Sequence, residues 1–289
     1  MSAIRQIDGG GGAPAKADPA PHALVFDSGV GGLSVLDEVR ALMPGARLTY
    51  AADNFAFPYG PKPVDELVGR VTSVLRKLVE ETQPDVLVIA CNTASTQALD
   101  AAREMLPMPI VGVVPAVKPA AKASFSRTIG LLATAATVAS PYTKSLIEQF
   151  ADGCRVVCTG APELVEAAER KLQGEPPDPA ILSGALDRML NAPGGDAIDI
   201  VVLGCTHFPL LKPELSAMAA ERGRNIAWID SGAAIARRVR TLFERAGLTP
   251  PTSSASAHRA IFTADTPAVE RMRSGLAGYG LTEIGFLRV

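Results

Sequence analysis

The sequence predicts an α/β protein with two pseudo-symmetric domains, each a mainly parallel sheet flanked by helices, and an active site in the cleft between them. Short apolar runs alternate with amphipathic stretches along nearly all of the 289 residues, a pattern typical of parallel α/β folds. Most of the runs lack strict alternation of apolar and polar residues, as expected of strands covered on both faces. Each half also contains a strand that ends in a cysteine, as VLVIACNTAS and as IVVLGCTHFPL.

Eight apolar runs are the predicted strands. They comprise residues 23–26, 47–52, 86–90, 110–114, 128–133, 155–158, 200–203 and 226–229. The amphipathic stretches between them predict helices, and the clearest are residues 64–81, 94–105 and 235–246.

An internal repeat indicates how the chain is divided. The segment Cys-Asn-Thr after one strand corresponds to Cys-Thr-His after another, and LVFDSGVGG has a weaker counterpart in GLLATAATV. We expect residues 1–20 to form a disordered tail, residues 21–115 plus 230–289 a first domain, and residues 116–229 a second. The strand ends of the two halves would then meet at one crevice, where open α/β sheets usually bind ligands.

Composition narrows the class of protein. A hydrophobic share of 47% and a charged share of 20% are typical of globular proteins. A net charge of -2 without a basic block predicts neither nucleic acid nor an anionic membrane as a partner, and no apolar run reaches the length of about eighteen residues that a membrane span needs. Four cysteines in a chain of this size fit free thiols in a reducing cytoplasm.

Cys91 and Cys205 are the main candidates for chemistry. Each follows an apolar run and precedes polar residues near a predicted helix start, where the pKa of a thiol falls. At an ordinary pKa only about 3% of a thiol is ionised at pH 7, so forming the thiolate costs about 2 kcal/mol. A modest local electric field can offset that cost. Two such thiols suit stereochemical inversion at carbon, with one acid/base group on each side. The alternative is that each is an inert buried side chain.

Two further motifs follow predicted strands. Residues 27–32, DSGVGG, offer a tight turn and free amides for an anionic group such as a carboxylate, although the spacing excludes a dinucleotide-binding fingerprint. Residues 53–60, DNFAFPYG, form a turn that would direct Tyr59 and nearby amides into the crevice. Either segment alone could be only a turn.

A zinc site is the rival explanation for cysteine with histidine. It needs closely spaced pairs of ligands, and the sequence does not provide them. His22 is expected in the tail and His258 in a Pro/Ser-rich loop, which leaves only His207 well placed. We therefore predict no metal.

Five ordered motifs resemble one known family. DSGVGG, PYG, ACNTAS, ATAATV and LGCTHFPLL, spanning residues 23–211, are similar to those of the glutamate racemases in the aspartate/glutamate racemase superfamily. The resemblance implies an isomerase that interconverts L- and D-glutamate without a cofactor and supplies D-glutamate for peptidoglycan. It also implies a homodimer.

The resemblance implies roles for individual residues. Cys91 would take the α-proton of the D-enantiomer and Cys205 that of the L-enantiomer, with Asp27 assisting the first thiol and His207 the second. Asp53 and Glu166 match acidic positions that are auxiliary in the family. The implied substrate contacts are Asp27, Ser28, Pro58, Tyr59, Gly60, Asn92, Thr93, Thr134, Thr137, Thr206 and His207.

Two other functions remain open at this point. The same paired cysteines could racemise aspartate or another superfamily substrate, although the PYG and CTHFPL motifs favour glutamate. Alternatively, the chain could be a non-catalytic binding module whose unusual tail contacts a partner.

Overall fold

A computed structural model describes residues 20–252 and 258–289. The strands are β1 (His22–Asp27), β2 (Arg47–Ala52), β3 (Val86–Ile89), β4 (Ile110–Gly112), β5 (Thr128–Ala133), β6 (Arg155–Gly160), β7 (Ile200–Leu203), β8 (Ala227–Ile229), β9 (His258–Phe262) and β10 (Leu281–Phe286). The helices are α1 (Leu33–Leu42), α2 (Val64–Thr82), α3 (Asn92–Gln97), α4 (Leu99–Met105), α5 (Val117–Ala123), α6 (Ala135–Ala139), α7 (Pro141–Phe150), α8 (Glu163–Leu172), α9 (Pro179–Leu190), α10 (Lys212–Glu221), α11 (Gly232–Arg245) and α12 (Pro267–Gly278).

The strands form two parallel sheets. The first has the order β10-β9-β2-β1-β3-β4 and the second the order β6-β5-β7-β8. In the first sheet Phe26 of β1 is paired with Ile89 of β3, and in the second Leu132 of β5 is paired with Leu203 of β7. Polar residues that follow these neighbouring strands therefore emerge side by side at the carboxyl edge of each sheet.

Helices cover both faces of each sheet, as the continuous apolar strands require. Helices α1 and α11 pack on one face of the first sheet, and α2, α3 and α4 on the other. Helix α2 packs on the sheet through one apolar face. Its buried residues recur every three or four positions, and they are Leu67, Val71, Val74, Leu75, Leu78 and Val79. Helices α8, α9 and α10 cover one face of the second sheet and α5 and α7 the other. Within the described residues, no helix is both long enough and apolar enough to span a bilayer.

All eight predicted strands are present, but the prediction missed two of the strands within residues 20–252 and 258–289. Strands β9 and β10 place the C-terminal segment beside β2 in the first sheet. The missed β10 is an edge strand whose residues are mostly half-buried or exposed, so its sequence LTEIGF lacks a continuous apolar run. The predicted helix over residues 94–105 is wrong in its continuity, because Ala98 separates α3 from α4.

The placement of two histidines also differs from expectation. His22 lies in β1 rather than in a tail, and His258 lies in β9 rather than in a loop. Both are buried, and burial lowers the pKa of His22 to about 4, so its ring is neutral at pH 7. The predicted disordered tail lies outside the described residues, apart from Ala20.

Candidate active site

A cavity of about 570 Å³ opens between the carboxyl edges of the two sheets. Both Cys91, after β3, and Cys205, after β7, line it. The other predicted site residues that line the cavity are Ser28, Pro58, Tyr59, Gly60, Asn92, Thr93, Thr134, Thr137, Glu166, Thr206 and His207. Asp27 and Asp53 instead lie behind the cavity wall, both fully buried.

The surroundings of Cys91 are acidic. Its Sγ lies 3.8 Å from the Ser28 hydroxyl. The Asp27 carboxylate accepts hydrogen bonds of 2.7 Å from the backbone N–H groups of Ser28 and Gly32, and so holds the DSGVGG turn against the thiol. Burial and the Asp27 charge both raise the pKa of Cys91. The proton is therefore favoured on this sulfur.

The surroundings of Cys205 differ in charge. Its Sγ lies 3.8 Å from Nδ1 of His207, and Nε2 of the same ring lies 2.8 Å from the Glu169 carboxylate. Burial alone lowers the pKa of His207, but the hydrogen bonds and charges of Cys205 and Glu169 outweigh it and raise that pKa well above its ordinary value. The ring beside Cys205 is therefore a cation.

Glu169 is a functional candidate that the sequence prediction missed. Besides contacting His207, its carboxylate accepts a 2.7 Å hydrogen bond from the backbone N–H of Val30, in the DSGVGG turn of the other half. Glu166, the predicted acidic residue, lines the cavity one turn earlier in α8. Residues three apart share a helix face. The sequence therefore offered one signal for Glu169, namely its position three residues after Glu166.

Asp53 is the centre of a buried cluster that supports the PYG loop. Its carboxylate accepts hydrogen bonds from the Tyr59 hydroxyl at 2.7 Å, from the Arg70 guanidinium at 2.6 and 2.9 Å, and from the Thr263 hydroxyl at 2.7 Å. Burial raises the pKa of Asp53, but the bonds from Arg70, Thr263 and Tyr59 outweigh it and lower the pKa. The ionised Asp53 thus holds the Tyr59 side chain in place, and the tyrosine hydroxyl points away from the cavity toward this carboxylate.

No group of three His, Cys, Asp or Glu side chains that could hold a metal ion occurs within residues 20–252 and 258–289. The polar groups of the cavity are instead thiols, hydroxyls, the Asn92 amide, one imidazole and the Glu166 carboxylate. Such groups can transfer protons and bind a small ion that carries both ammonium and carboxylate groups.

Comparison with known proteins identifies the family. The family model for Asp/Glu/Hydantoin racemase matches residues 34–239. The glutamate racemase of Sphingopyxis alaskensis is 53% identical over 223 residues, which cover 76% of this chain and 82% of the relative. That of Salmonella typhimurium is 46% identical over 277 residues, 96% of this chain and 95% of the relative. The chain belongs to the glutamate racemase family.

Solved structures of the glutamate racemase family agree with the fold. The Escherichia coli glutamate racemase, in complex with L-glutamate and the activator UDP-MurNAc-ala, has a TM-score of 0.86 and 44% identity, covering 94% of this chain and 99% of that one. The isoform RacE1 from Bacillus anthracis has a TM-score of 0.77 and 27% identity, covering 94% and 98%. The family resemblance, the α/β fold class and the expected class of enzyme, an isomerase, are confirmed.

Proposed function

We propose that this chain interconverts L- and D-glutamate by a two-base mechanism without a cofactor, with Cys91 and Cys205 as the acid/base groups. One observation carries the proposal: a single cavity is lined by two buried thiols, one at the carboxyl edge of each sheet. The two sulfurs can thereby approach an α-carbon from opposite sides. Inversion requires this arrangement, because a proton taken from one face must be replaced on the other.

In the direction from L- to D-glutamate, the Cys205 thiolate takes the α-proton and the Cys91 thiol donates a proton to the opposite face. His207 stabilises the starting thiolate by its charge, and Glu169 in turn stabilises the imidazolium. After turnover the protonation states of the two sulfurs are exchanged, and that form of the enzyme is ready for the D-enantiomer.

An α-proton of an amino acid is very weakly acidic, so the carbanionic transition state needs donors that are already in position. Hydroxyls of Ser28, Thr93 and Thr206 line the cavity beside the thiols, and we assign them to the carboxylate groups. The Oδ1 atom of Asn92 is buried and has no hydrogen-bond partner within the described residues. We assign it to the substrate ammonium group, because that group is a donor without acceptor capacity.

The choice of glutamate rests on the relatives. The Escherichia coli protein, 44% identical to this chain, was solved with L-glutamate bound. By extension we propose that the product D-glutamate supplies peptidoglycan synthesis in the cytoplasm. All four cysteines are free, which suits a reducing compartment. We also retain as proposals a homodimer, and two domains formed by residues 21–115 plus 230–289 and by residues 116–229.

Labelling at the α-carbon tests the proposal. Purified protein incubated with L-glutamate in deuterated water should form D-glutamate that carries deuterium at that carbon, and the absence of both product and label would reject it. Parallel incubation with L-aspartate should give much slower turnover, whereas faster turnover of aspartate would reject glutamate as the substrate.

Substitution of the thiols tests the mechanism. Cys91→Ser and Cys205→Ser should each abolish racemisation. Cys158→Ser is a matched control, because this exposed cysteine lies in β6, outside the cavity lining, and it should leave turnover unchanged. Full activity in either of the first two variants would contradict the two-thiol mechanism.

A further inference from the structure

We propose that Ser34 and Asn92 are positioning residues that hold the backbone on both sides of Cys205 and so set where its sulfur stands relative to Cys91. This inference rests on the proposed two-thiol function. The Nδ2 atom of Asn92 donates a 2.9 Å hydrogen bond to the carbonyl of Gly204, which directly precedes Cys205. The Ser34 hydroxyl donates at 2.9 Å to the carbonyl of Thr206, which directly follows it.

Both donors belong to the opposite half of the molecule. Ser34 lies in the first turn of α1, after β1, and Asn92 is the first residue of α3, next to Cys91. The two bonds therefore join elements of the first sheet to the strand end of the second sheet at the level of the thiols. Asn92 in particular links the residue beside one sulfur to the residue beside the other.

The remaining hydrogen bonds around Cys205 come from within the second half. The Gly204 N–H donates to the carbonyl of Leu132 at 2.7 Å, and the Cys205 carbonyl accepts from the N–H of Phe208 at 3.0 Å. These bonds fix the thiol segment to its own sheet. Within the described residues, two hydrogen bonds join residues 204–206 to elements of the first sheet, those from Ser34 and Asn92. These two bonds fix the thiol segment relative to the first sheet.

The close approach depends on Gly31. A Cβ atom at this position would overlap the His207 ring and the Thr206 hydroxyl, so glycine permits the DSGVGG turn to lie against the segment that carries Cys205. The Ser34 hydroxyl is also 2.8 Å from the Gly31 carbonyl. Its single proton is shared between two carbonyls, one in each half, and Ser34 thus joins the turn to the thiol segment.

This arrangement predicts an asymmetric defect when the Ser34 hydroxyl is removed. Cys205 would move, whereas Cys91 is carried by elements of the first sheet and would stay in place. A displacement of about 1 Å at a reacting group lowers a rate by about 10²-fold. Proton removal from D-glutamate by Cys91 would continue, but delivery of a proton to the opposite face by Cys205 would slow, so the carbanion would return to D-glutamate with solvent deuterium.

The experiment compares exchange with inversion for full-length Ser34→Ala in deuterated water. We expect kcat to fall about tenfold, less than a full 1 Å displacement would cause because the bond from Asn92 to Gly204 remains, with little change in KM. Starting from D-glutamate, the ratio of α-deuterated D-glutamate to L-glutamate formed should rise several-fold over wild type, with no such rise starting from L-glutamate. Ser34→Thr, which keeps the hydroxyl, should restore the wild-type ratio.

Ser231→Ala is the matched control. Its hydroxyl lies in a small cavity that Ser34 and Cys205 also line, but it donates to the carbonyl of Val114 at 2.5 Å and not to residues 204–206 within the described residues. A loss of stability lowers the amount of active enzyme without changing the ratio. If Ser34→Ala gives the wild-type ratio, the positioning role is wrong while the proposed function stands, and a wild-type protein that does not racemise glutamate would reject the proposed function itself.

Discussion

Cys91 and Cys205 hold equivalent places in the two sheets, but their neighbours differ: a carboxyl group, Asp27, whose pKa is raised by burial, and an imidazole, His207, whose pKa is raised by hydrogen bonds and charges. Both follow a central strand, and their exposed fractions are similar, 6% and 8%. Burial therefore does not distinguish them. Burial, together with the Asp27 charge behind it, raises the pKa of the first thiol, whereas His207 stands beside the second as an imidazolium that Glu169 stabilises. The repeated strand sets the place of each sulfur, and the neighbouring residues set the charge around it.

Removing the imidazole should have the largest effect on this comparison. His207→Asn eliminates the cation beside Cys205, so both directions of racemisation should lose about 10³-fold in kcat, in the range that a positioned acid/base group contributes. Steady-state kinetics with each enantiomer measures it. A decrease of less than twofold would show that the charge difference between the two thiols has no role in turnover.

The buried Asp53 cluster supports the PYG loop on the Cys91 side of the cavity. Substitutions in this cluster should have a smaller effect, on the free energy of unfolding. Arg70→Gln leaves the buried Asp53 carboxylate without its cation, and should lower the free energy of unfolding by about 3 kcal/mol.

Tyr59→Phe removes one hydrogen bond to the same carboxylate and should lower the free energy of unfolding by about 1 kcal/mol, with little change in KM because this hydroxyl does not face the cavity. Urea unfolding and kinetics measure both. A large rise in KM for Tyr59→Phe would mean that the hydroxyl contacts the substrate.

The third prediction concerns pH. The raised pKa of His207 keeps its charge as the pH increases, and that charge is lost only when the pH passes the raised value. Glu169→Gln removes one cause of the increase, so the pKa of His207 falls and the alkaline limb of kcat/KM should move to lower pH. The limb should move equally for both enantiomers, because their equilibrium constant is fixed.

Glu166→Gln is the control for that experiment. Glu166 lies one turn earlier in α8 and lines the cavity without a hydrogen bond to His207 within the described residues. It should leave the position of the alkaline limb unchanged. If Glu166→Gln shifted the alkaline limb and Glu169→Gln did not, Glu166 would be the auxiliary acidic residue, as predicted from the sequence.

The sequence was sufficient for features that depend on local pattern. Buried parallel strands are continuous apolar runs, so eight of the strands and the two cysteines at their ends could be predicted. Features that depend on distant contacts could not. Thr263 reaches Asp53 from 210 residues away, and nothing near Thr263 indicates that contact. Glu169 was passed over in favour of Glu166 because only the folded helix shows which carboxylate meets His207.

Proton exchange in single-cysteine variants tests whether each thiol serves one enantiomer. Each enantiomer is incubated in deuterated water with Cys91→Ser or Cys205→Ser, and deuterium at the α-carbon is followed by NMR. We expect Cys205→Ser to label only D-glutamate and Cys91→Ser to label only L-glutamate, without inversion in either. Labelling of the same enantiomer by both variants, or inversion by one of them, would contradict it.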